Sequence, residues 1–263
     1  MSRIGERFAR LESEGRKAFV PYLTAGDPDL ATTAALCRML EEEGADVIEL
    51  GVPFTDPIAD GPTNQRAAQR ALDRGVRPDG ILRMVRELRE GGFALPIVLF
   101  TYWNPLRRVL EEEGYRGLSD VDGILVTDLP PEHADEHRAA CREHGIDTIF
   151  LAAPTTAPDR LPALTAASSG FLYLVSSTGV TGARAALGDG LEDRVRAAKE
   201  AARTLPVCVG FGISTRETAA RVCAVADGFV VGSALGAVIE KAAAGGDDVV
   251  ASARAFVRGL DPR

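Results

Sequence analysis

Eight short apolar runs, rich in β-branched and aromatic residues, punctuate this chain at intervals that leave room for a helix between each pair. They begin at Ala18 (AFVPYL), Asp46 (DVIELGV), Pro96 (PIVLFTY), Gly123 (GILVTD), Asp147 (DTIFLAA), Gly170 (GFLYLVSS), Pro206 (PVCVGFG) and Gly228 (GFVVGS). Near-continuous hydrophobicity, rather than strict alternation, marks a parallel strand covered on both faces. The intervening segments carry helix signals. Asp27-Pro28 reads as an N-cap followed by a proline at the first helical position; Leu36, Met39 and Leu40 recur at helical spacing, and Gly44 closes the run. Pro131 to Glu143 repeats the pattern, with acids early, His144 late and Gly145 after it. Thr63 to Leu72 and Asp79 to Arg89 both read as helices, which makes the second interval oversized; the sixth is long as well. Eight such βα units in 263 residues fit the α/β class, as a single (β/α)8 TIM barrel with extra helices over residues 1–263. An open doubly wound sheet is the alternative.

Composition narrows the partners. The chain is 46% hydrophobic and 26% charged, with a net charge of −8 and no basic block, so nucleic acid is not expected as a partner. No apolar run approaches the roughly 20 residues that span a bilayer, and Met-Ser-Arg-Ile-Gly-Glu-Arg-Phe lacks the apolar region of a signal peptide. Cys37, Cys141, Cys208 and Cys223 show no CxxC spacing and read as buried free thiols, which implies a cytoplasmic location.

Chemistry concentrates after the second run. Glu49 is a single carboxylate in the middle of the apolar strand Val47 to Val52, followed by a Pro/Gly-punctuated loop bearing Asp56 and Asp60. Burying a carboxylate costs several kcal/mol unless it is paired or takes up a proton. Glu49 is therefore either a general acid/base or the partner of a core arginine. Catalytic groups of barrels sit at the C-terminal strand ends and in the βα loops, where long loops often act as lids. Phe54 to Pro62 and Ser177 to Asp189 are the lid candidates.

Three glycine loops follow the last three strands: Gly179-Val-Thr-Gly182, Gly210-Phe-Gly212-Ile-Ser214 and Gly232-Ser233-Ala234. Small residues there let backbone N–H groups approach an anion, and Gly232-Ser233 also opens a helix whose N-terminus favours negative charge. Together they point to a phosphate site. His133 and His137 are spaced to clip a metal, but their neighbours Glu132, Asp135, Glu136 and Arg138 read as a solvated helix face, and no metal is expected. Trp103, beside Tyr102 at a strand end, reads as packing or as an interface anchor.

Taken together, Phe19-Val-Pro-Tyr-Leu-Thr-Ala-Gly-Asp-Pro28, Ile48-Glu-Leu-Gly-Val-Pro-Phe-Thr-Asp-Pro57, Ala59-Asp-Gly-Pro-Thr63, Thr127-Asp-Leu-Pro130, Ser177-Thr-Gly-Val-Thr-Gly-Ala183 and Gly210-Phe-Gly-Ile-Ser214 resemble the tryptophan synthase α-subunit family, in order and over nearly the whole chain. The resemblance implies retro-aldol cleavage of indole-3-glycerol phosphate to indole and glyceraldehyde 3-phosphate, with no metal or organic cofactor in this chain. It implies Glu49 and Asp60 as the catalytic carboxylates, the first as acid and base, the second accepting a hydrogen bond from the indole N–H. Tyr173 would lie near Glu49, and Thr181 would meet Asp60 on lid closure. Phe211 would pack on the indole, with Tyr22, Phe100 and Thr127 as further pocket residues. Gly182, Gly212, Gly232 and Ser233 would hold the phosphate.

The resemblance also implies a β-subunit partner in an α2β2 assembly, with pyridoxal phosphate confined to that partner and contacts at Pro53, Asp56, Asn104 and the helix after Asp128. One region departs from the family pattern. Leu106 to Asp122 is shorter and lacks an apolar helix and an Ala-Gly approach to the fourth strand, so the third helix is expected to be short or irregular. Other readings stay open at this point: a free-standing indole-3-glycerol phosphate lyase, a catalytically silent docking subunit that activates a β partner, or another phosphate-binding barrel.

Overall fold

The computed structural model describes residues 2–176, 190–210 and 212–262. Helix α1 (Arg3–Ser13) leads into β1 (Ala18–Thr24), α2 (Leu30–Glu42), β2 (Ile48–Gly51), α3 (Pro62–Asp73), α4 (Pro78–Glu90) and β3 (Ile97–Thr101). There follow α5 (Trp103–Glu113), β4 (Gly123–Val126), α6 (Asp135–Glu143), β5 (Asp147–Ile149), β6 (Leu151–Ala152), α7 (Leu161–Ala167) and β7 (Leu172–Val175). The chain ends with α8 (Leu191–Ala202), β8 (Val207–Gly210), α9 (Arg216–Cys223), β9 (Gly228–Val231), α10 (Ser233–Gly245) and α11 (Val249–Leu260).

The strands form one parallel sheet in the order β5-β4-β3-β2-β1-β9-β8-β7-β6. Its two ends, β5 and β6, are halves of one extended run broken at Phe150, so the sheet closes through the chain itself. This is the expected (β/α)8 barrel, with its fifth strand split into two pairing segments: β5 pairs with β4, and β6 with β7.

Side chains alternate along a strand, so every second residue faces the barrel interior. Ala18, Val20, Val47, Val98, Leu125, Ile149, Phe171, Tyr173, Cys208 and Val230 pack together there, and Ile4, Phe8 and Leu11 of α1 join them. The larger cluster, including Leu36, Leu40, Leu50, Leu99 and Phe229, lies between the strands and the surrounding helices.

The N-terminal end of the barrel is laced four times in the same way. Asp46, Asp122, Ser169 and Asp227 each stand just before an even-numbered strand of the closed barrel. Each side chain accepts from the N–H of a residue on the preceding strand: Phe19 (2.8 Å), Ile97 (2.8 Å), Thr148 (2.9 Å) and Val207 (3.0 Å). Each backbone N–H in turn donates to the carbonyl of that same residue. Arg7 pairs with Asp46, Arg3 and Arg89 with Asp122, and Lys199 with Asp227. The clasp orders the end of the barrel opposite the strand C-termini.

Several expectations need correction. Asp27 is not a helix cap: Asp29 caps α2, accepting from the Thr32 N–H at 2.7 Å, and the Asp27–Pro28 peptide is cis. The Asp27 carboxylate instead receives both prongs of the Arg70 guanidinium at 2.8 Å. The Pro131 to Glu143 helix is divided into a 3-10 turn, Pro131–His133, and α6. His137 does not lie on a solvated face. It is buried, meets the Tyr115 hydroxyl at 2.7 Å through Nδ1 and packs edge-on against Trp103, and burial pushes its pKa down to about 4. Of the four free thiols, Cys223 is half-buried rather than buried. The helix expected to be short or irregular is neither: α5 is a regular α-helix of 11 residues with Leu106 and Val109 buried, and a separate 3-10 turn, Tyr115–Leu118, follows it.

Candidate active site

Glu49 lies between Val47 and Gly51 on β2, level with Tyr22 on β1 and Val98 on β3. Val47 and Val98 face the interior, so alternation turns Glu49 inward as well. The side chain is wholly buried. Among the described residues neither carboxylate oxygen has a hydrogen-bond partner. No described arginine pairs with it, as the core-arginine alternative would require, and desolvation pushes the Glu49 pKa up to about 8. A carboxyl group in this state carries a proton near neutrality and can both give it and take it back.

Two tyrosines flank it. A Cβ placed on Gly51 would lie 2.1 Å from the Tyr22 phenolic oxygen, and one on Gly210 would lie 2.0 Å from that of Tyr173. The rings occupy the space that side chains on β2 and β8 would otherwise fill. Tyr22 also meets Phe100 edge-on, at 5.4 Å between ring centroids. Burial raises the Tyr22 phenol, and the Asp60 charge raises it further; burial and then Glu49 do the same for Tyr173. Both phenols therefore remain protonated donors.

Asp60 stands two residues before α3, in the loop after β2. Its Oδ2 accepts from the Tyr102 hydroxyl at 2.7 Å, and the same hydroxyl accepts from the Ala59 N–H at 2.9 Å. Burial raises the Asp60 pKa, while hydrogen bonds from Tyr102 and Asn64 pull it back down. Tyr102 was not among the residues singled out from sequence for the site. Its position at the C-terminal end of β3 was the available signal, since catalytic side chains of barrels gather there.

Thr127 follows β4, its N–H bonded to the Thr101 carbonyl at 2.9 Å. Gly232 caps α10 at the end of β9, and Ser233 is exposed at the first position of that helix. The first N–H groups of a helix have no intrahelical acceptor, so this end can receive an anion. Gly212 takes a left-handed φ of +73° that disfavours a side chain. Thr181, Gly182, Phe211 and the loop Ser177 to Asp189 lie outside the described residues.

Of the expected contact residues, Asp56 and Asn104 are exposed and Pro53 is buried. Ile58, also on the loop after β2, is 82% exposed. Among the described residues no group of three or more His, Cys, Asp or Glu is arranged to hold a metal ion, and no helix is long and apolar enough to cross a membrane.

Comparison with known proteins adds a family. The family model for the tryptophan synthase alpha chain matches residues 8–262. The tryptophan synthase alpha chain of Geobacter sulfurreducens is 49% identical over 246 residues, covering 92% of this chain and 91% of that protein. That of Roseiflexus castenholzii is 47% identical over 266 residues, covering 98% of each. Among solved structures, tryptophan synthase subunit alpha from Legionella pneumophila superposes with a TM-score of 0.87 at 35% identity, over 99% of this chain and 97% of that one. A Mycobacterium tuberculosis tryptophan synthase chain gives 0.87 at 37% identity, over 98% and 96%.

Proposed function

The chain belongs to the tryptophan synthase alpha chain family, and from that premise we propose that it cleaves indole-3-glycerol phosphate by a retro-aldol reaction, releasing indole and glyceraldehyde 3-phosphate for tryptophan biosynthesis. The observation that carries the reading is the inward-facing Glu49 carboxyl group, without a hydrogen-bond partner among the described residues, with Asp60 held in the loop that follows its strand.

Carbon–carbon cleavage needs one proton delivered to indole C3 and one removed from the 3′-hydroxyl of the side chain. Protonation at C3 places positive charge on the ring nitrogen. Loss of the hydroxyl proton then forms the aldehyde, the bond from C3 to the side chain breaks, and its electron pair returns the ring to indole. Glu49, protonated near neutrality, gives the first proton and takes the second, so the group ends as it began. Asp60 accepts from the ring N–H and stabilises the transient positive charge. In this reading Tyr22, Phe100, Thr127, Tyr173 and Phe211 would line the indole pocket, and Thr181 would meet Asp60 on lid closure. Gly182, Gly212, Gly232 and Ser233 would hold the phosphate with backbone N–H groups.

The partner in this reading is a tryptophan synthase β subunit in an α2β2 assembly, and it alone carries pyridoxal phosphate. Asp56 and Asn104 would contribute exposed contact groups, while the buried Pro53 would shape the loop. Free thiols fit action in the cytoplasm.

The test is indole release from indole-3-glycerol phosphate by the purified chain, alone and with a β subunit. Slow release alone with strong activation by the partner is the expected result, and fast release indifferent to the partner would indicate a free-standing lyase. Glu49→Gln should lose about a hundredfold or more in kcat while still binding substrate. Near-normal turnover by that variant would remove Glu49 from the mechanism.

A further inference from the structure

Asp60 sits on a loop, and a catalytic carboxylate must be held to within a fraction of an ångström to act. Its loop carries two turn contacts of its own, Ile58 N–H to the Asp56 carbonyl and Asp60 N–H to the Pro57 carbonyl. Neither fixes the direction of the carboxylate. Asn64 of α3 bears on it from within the same βα unit, and the Tyr102 hydroxyl reaches it from another. The Tyr102 hydroxyl donates to Asp60 Oδ2 and accepts from the Ala59 N–H, gripping side chain and backbone at once. The Tyr102 ring is buried and lies 5.2 Å from the Phe54 ring near the start of the same loop.

Tyr102 is itself secured. It is the N-cap position of α5, its carbonyl accepts from the Leu106 N–H, and the next N–H, that of Trp103, is capped by Asp128 Oδ1 at 2.7 Å. Tyr102 does not cap α5 with its own side chain, since its hydroxyl lies at the far end of a rigid ring and capping takes a short acceptor. Asp128, at the C-terminal end of the neighbouring strand β4, supplies the cap instead.

We infer that Tyr102 is the positioning residue for Asp60, and that Asp128 anchors Tyr102 through the first turn of α5. The carboxylate of one βα unit is thereby fixed by the next two in the barrel. The inference rests on the reading of Asp60 given under Proposed function, but its structural part can be tested without turnover.

The experiment uses the full chain. Tyr102→Phe keeps the ring against Phe54 and removes only the hydroxyl. The Asp60 carboxyl carbon is followed by NMR as a function of pH, and indole release is measured in parallel. Among the described residues, the groups that face Asp60 are Tyr102, Asn64 and, through space, the phenols of Tyr22 and Tyr173. Losing a donor to the charged form raises a carboxyl pKa, so the Asp60 titration should move up by about one unit in Tyr102→Phe. kcat should fall about tenfold with a smaller change in KM, and combining Tyr102→Phe with Asp60→Asn should add little to Asp60→Asn alone. Asp128→Ala should reproduce both effects in weaker form, while Asp128→Asn, which keeps an acceptor for the Trp103 N–H, should match wild type in both.

An unmoved Asp60 titration in Tyr102→Phe overturns the inference whatever the activity. A wild-type chain that releases no indole overturns the proposed reaction and leaves the positioning claim to be decided by the titration. Wild-type activity retained within twofold by a folded Tyr102→Phe overturns the inference and leaves the reaction standing.

Discussion

The phenol of Tyr22 lies directly over Gly51: a methyl group on that glycine would come within 2.1 Å of the phenolic oxygen and 2.5 Å of the ring carbon bearing it. Gly51 is the next inward-facing position after Glu49 on β2, so the bare backbone there admits an aromatic ring beside the buried carboxyl group. Gly51→Ala must push the ring out. The expected cost is about 1–3 kcal/mol of stability, from overpacking, together with a loss of turnover. Tyr22→Phe still leaves a ring carbon in the way, whereas Tyr22→Leu in the Gly51→Ala background should recover most of the stability. Urea denaturation of the four proteins checks this. Equal stability of wild type and Gly51→Ala would show that the ring has room to spare.

Glu49 should make the fold sensitive to alkali. Its pKa rises from an ordinary value near 4.5 to about 8 on folding, so the folded state holds a proton that the unfolded chain gives up. The contribution is fully present below about pH 4.5 and is lost as pH rises through about 8. Glu49→Gln removes the titration. The variant should therefore gain on wild type as pH rises across this window, by an amount on the order of a few kcal/mol above pH 8. Stability curves at pH 5, 7 and 9 provide the measurement. Parallel pH dependences for the two proteins would mean that Glu49 is already ionised in the folded state.

The elements most legible in the sequence were those whose environment is uniform. Strands covered on both faces, such as Val207–Gly210, announce themselves by continuous hydrophobicity, and the isolated carboxylate at Glu49 stands out against that background. What escaped detection depended on partners distant in sequence. Asp27 reads locally as a cap, yet Arg70, 43 residues away, takes its carboxylate. His137 sits among charged residues on α6, yet Trp103 and Tyr115 cover it from another segment. Tyr102 gained its place in the site only because the loop after β2 folds back onto the end of β3.

The four-fold clasp at the other end of the barrel should be graded by charge. Asp122 serves the Ile97 N–H and the nearly buried Arg89 together, so Asp122→Ala strands a buried donor and a buried cation. Breaking such a pair costs about 3–5 kcal/mol. Ser169→Ala removes a neutral acceptor from the Thr148 N–H and should cost about 1 kcal/mol. Both sites lie away from the strand C-termini, so folded protein of either variant should keep its KM. A larger loss from Ser169→Ala than from Asp122→Ala in chemical denaturation would reverse this ranking.

Arg70 ties the two ends of the proposed substrate site together. It grips Asp27 with both prongs and reaches Glu240 of α10 at 2.7 Å, and Arg66 of α3 holds the same Glu240 at 2.7 and 2.8 Å. Helix α3 begins two residues after Asp60, and α10 begins at the proposed phosphate cradle, so the cluster fixes one relative to the other. Lysine cannot reproduce a two-pronged contact, and Arg70→Lys should cost about 1–3 kcal/mol because Asp27 is nearly buried. The Glu240 contribution has its own pH signature. Hydrogen bonding from Arg66, with the nearby Arg70 charge, lowers its pKa to about 2, so its stabilisation is present above the ordinary value near 4.5 and is lost as pH falls through about 2. Part of that side chain is open to solvent, so the effect should be modest and should weaken in salt. Glu240→Gln should be less stable than wild type at pH 7 and converge with it near pH 2. Urea titrations at both pH values, in low and high salt, measure it; a constant gap between the two proteins down to pH 2 would assign the loss to packing instead of charge.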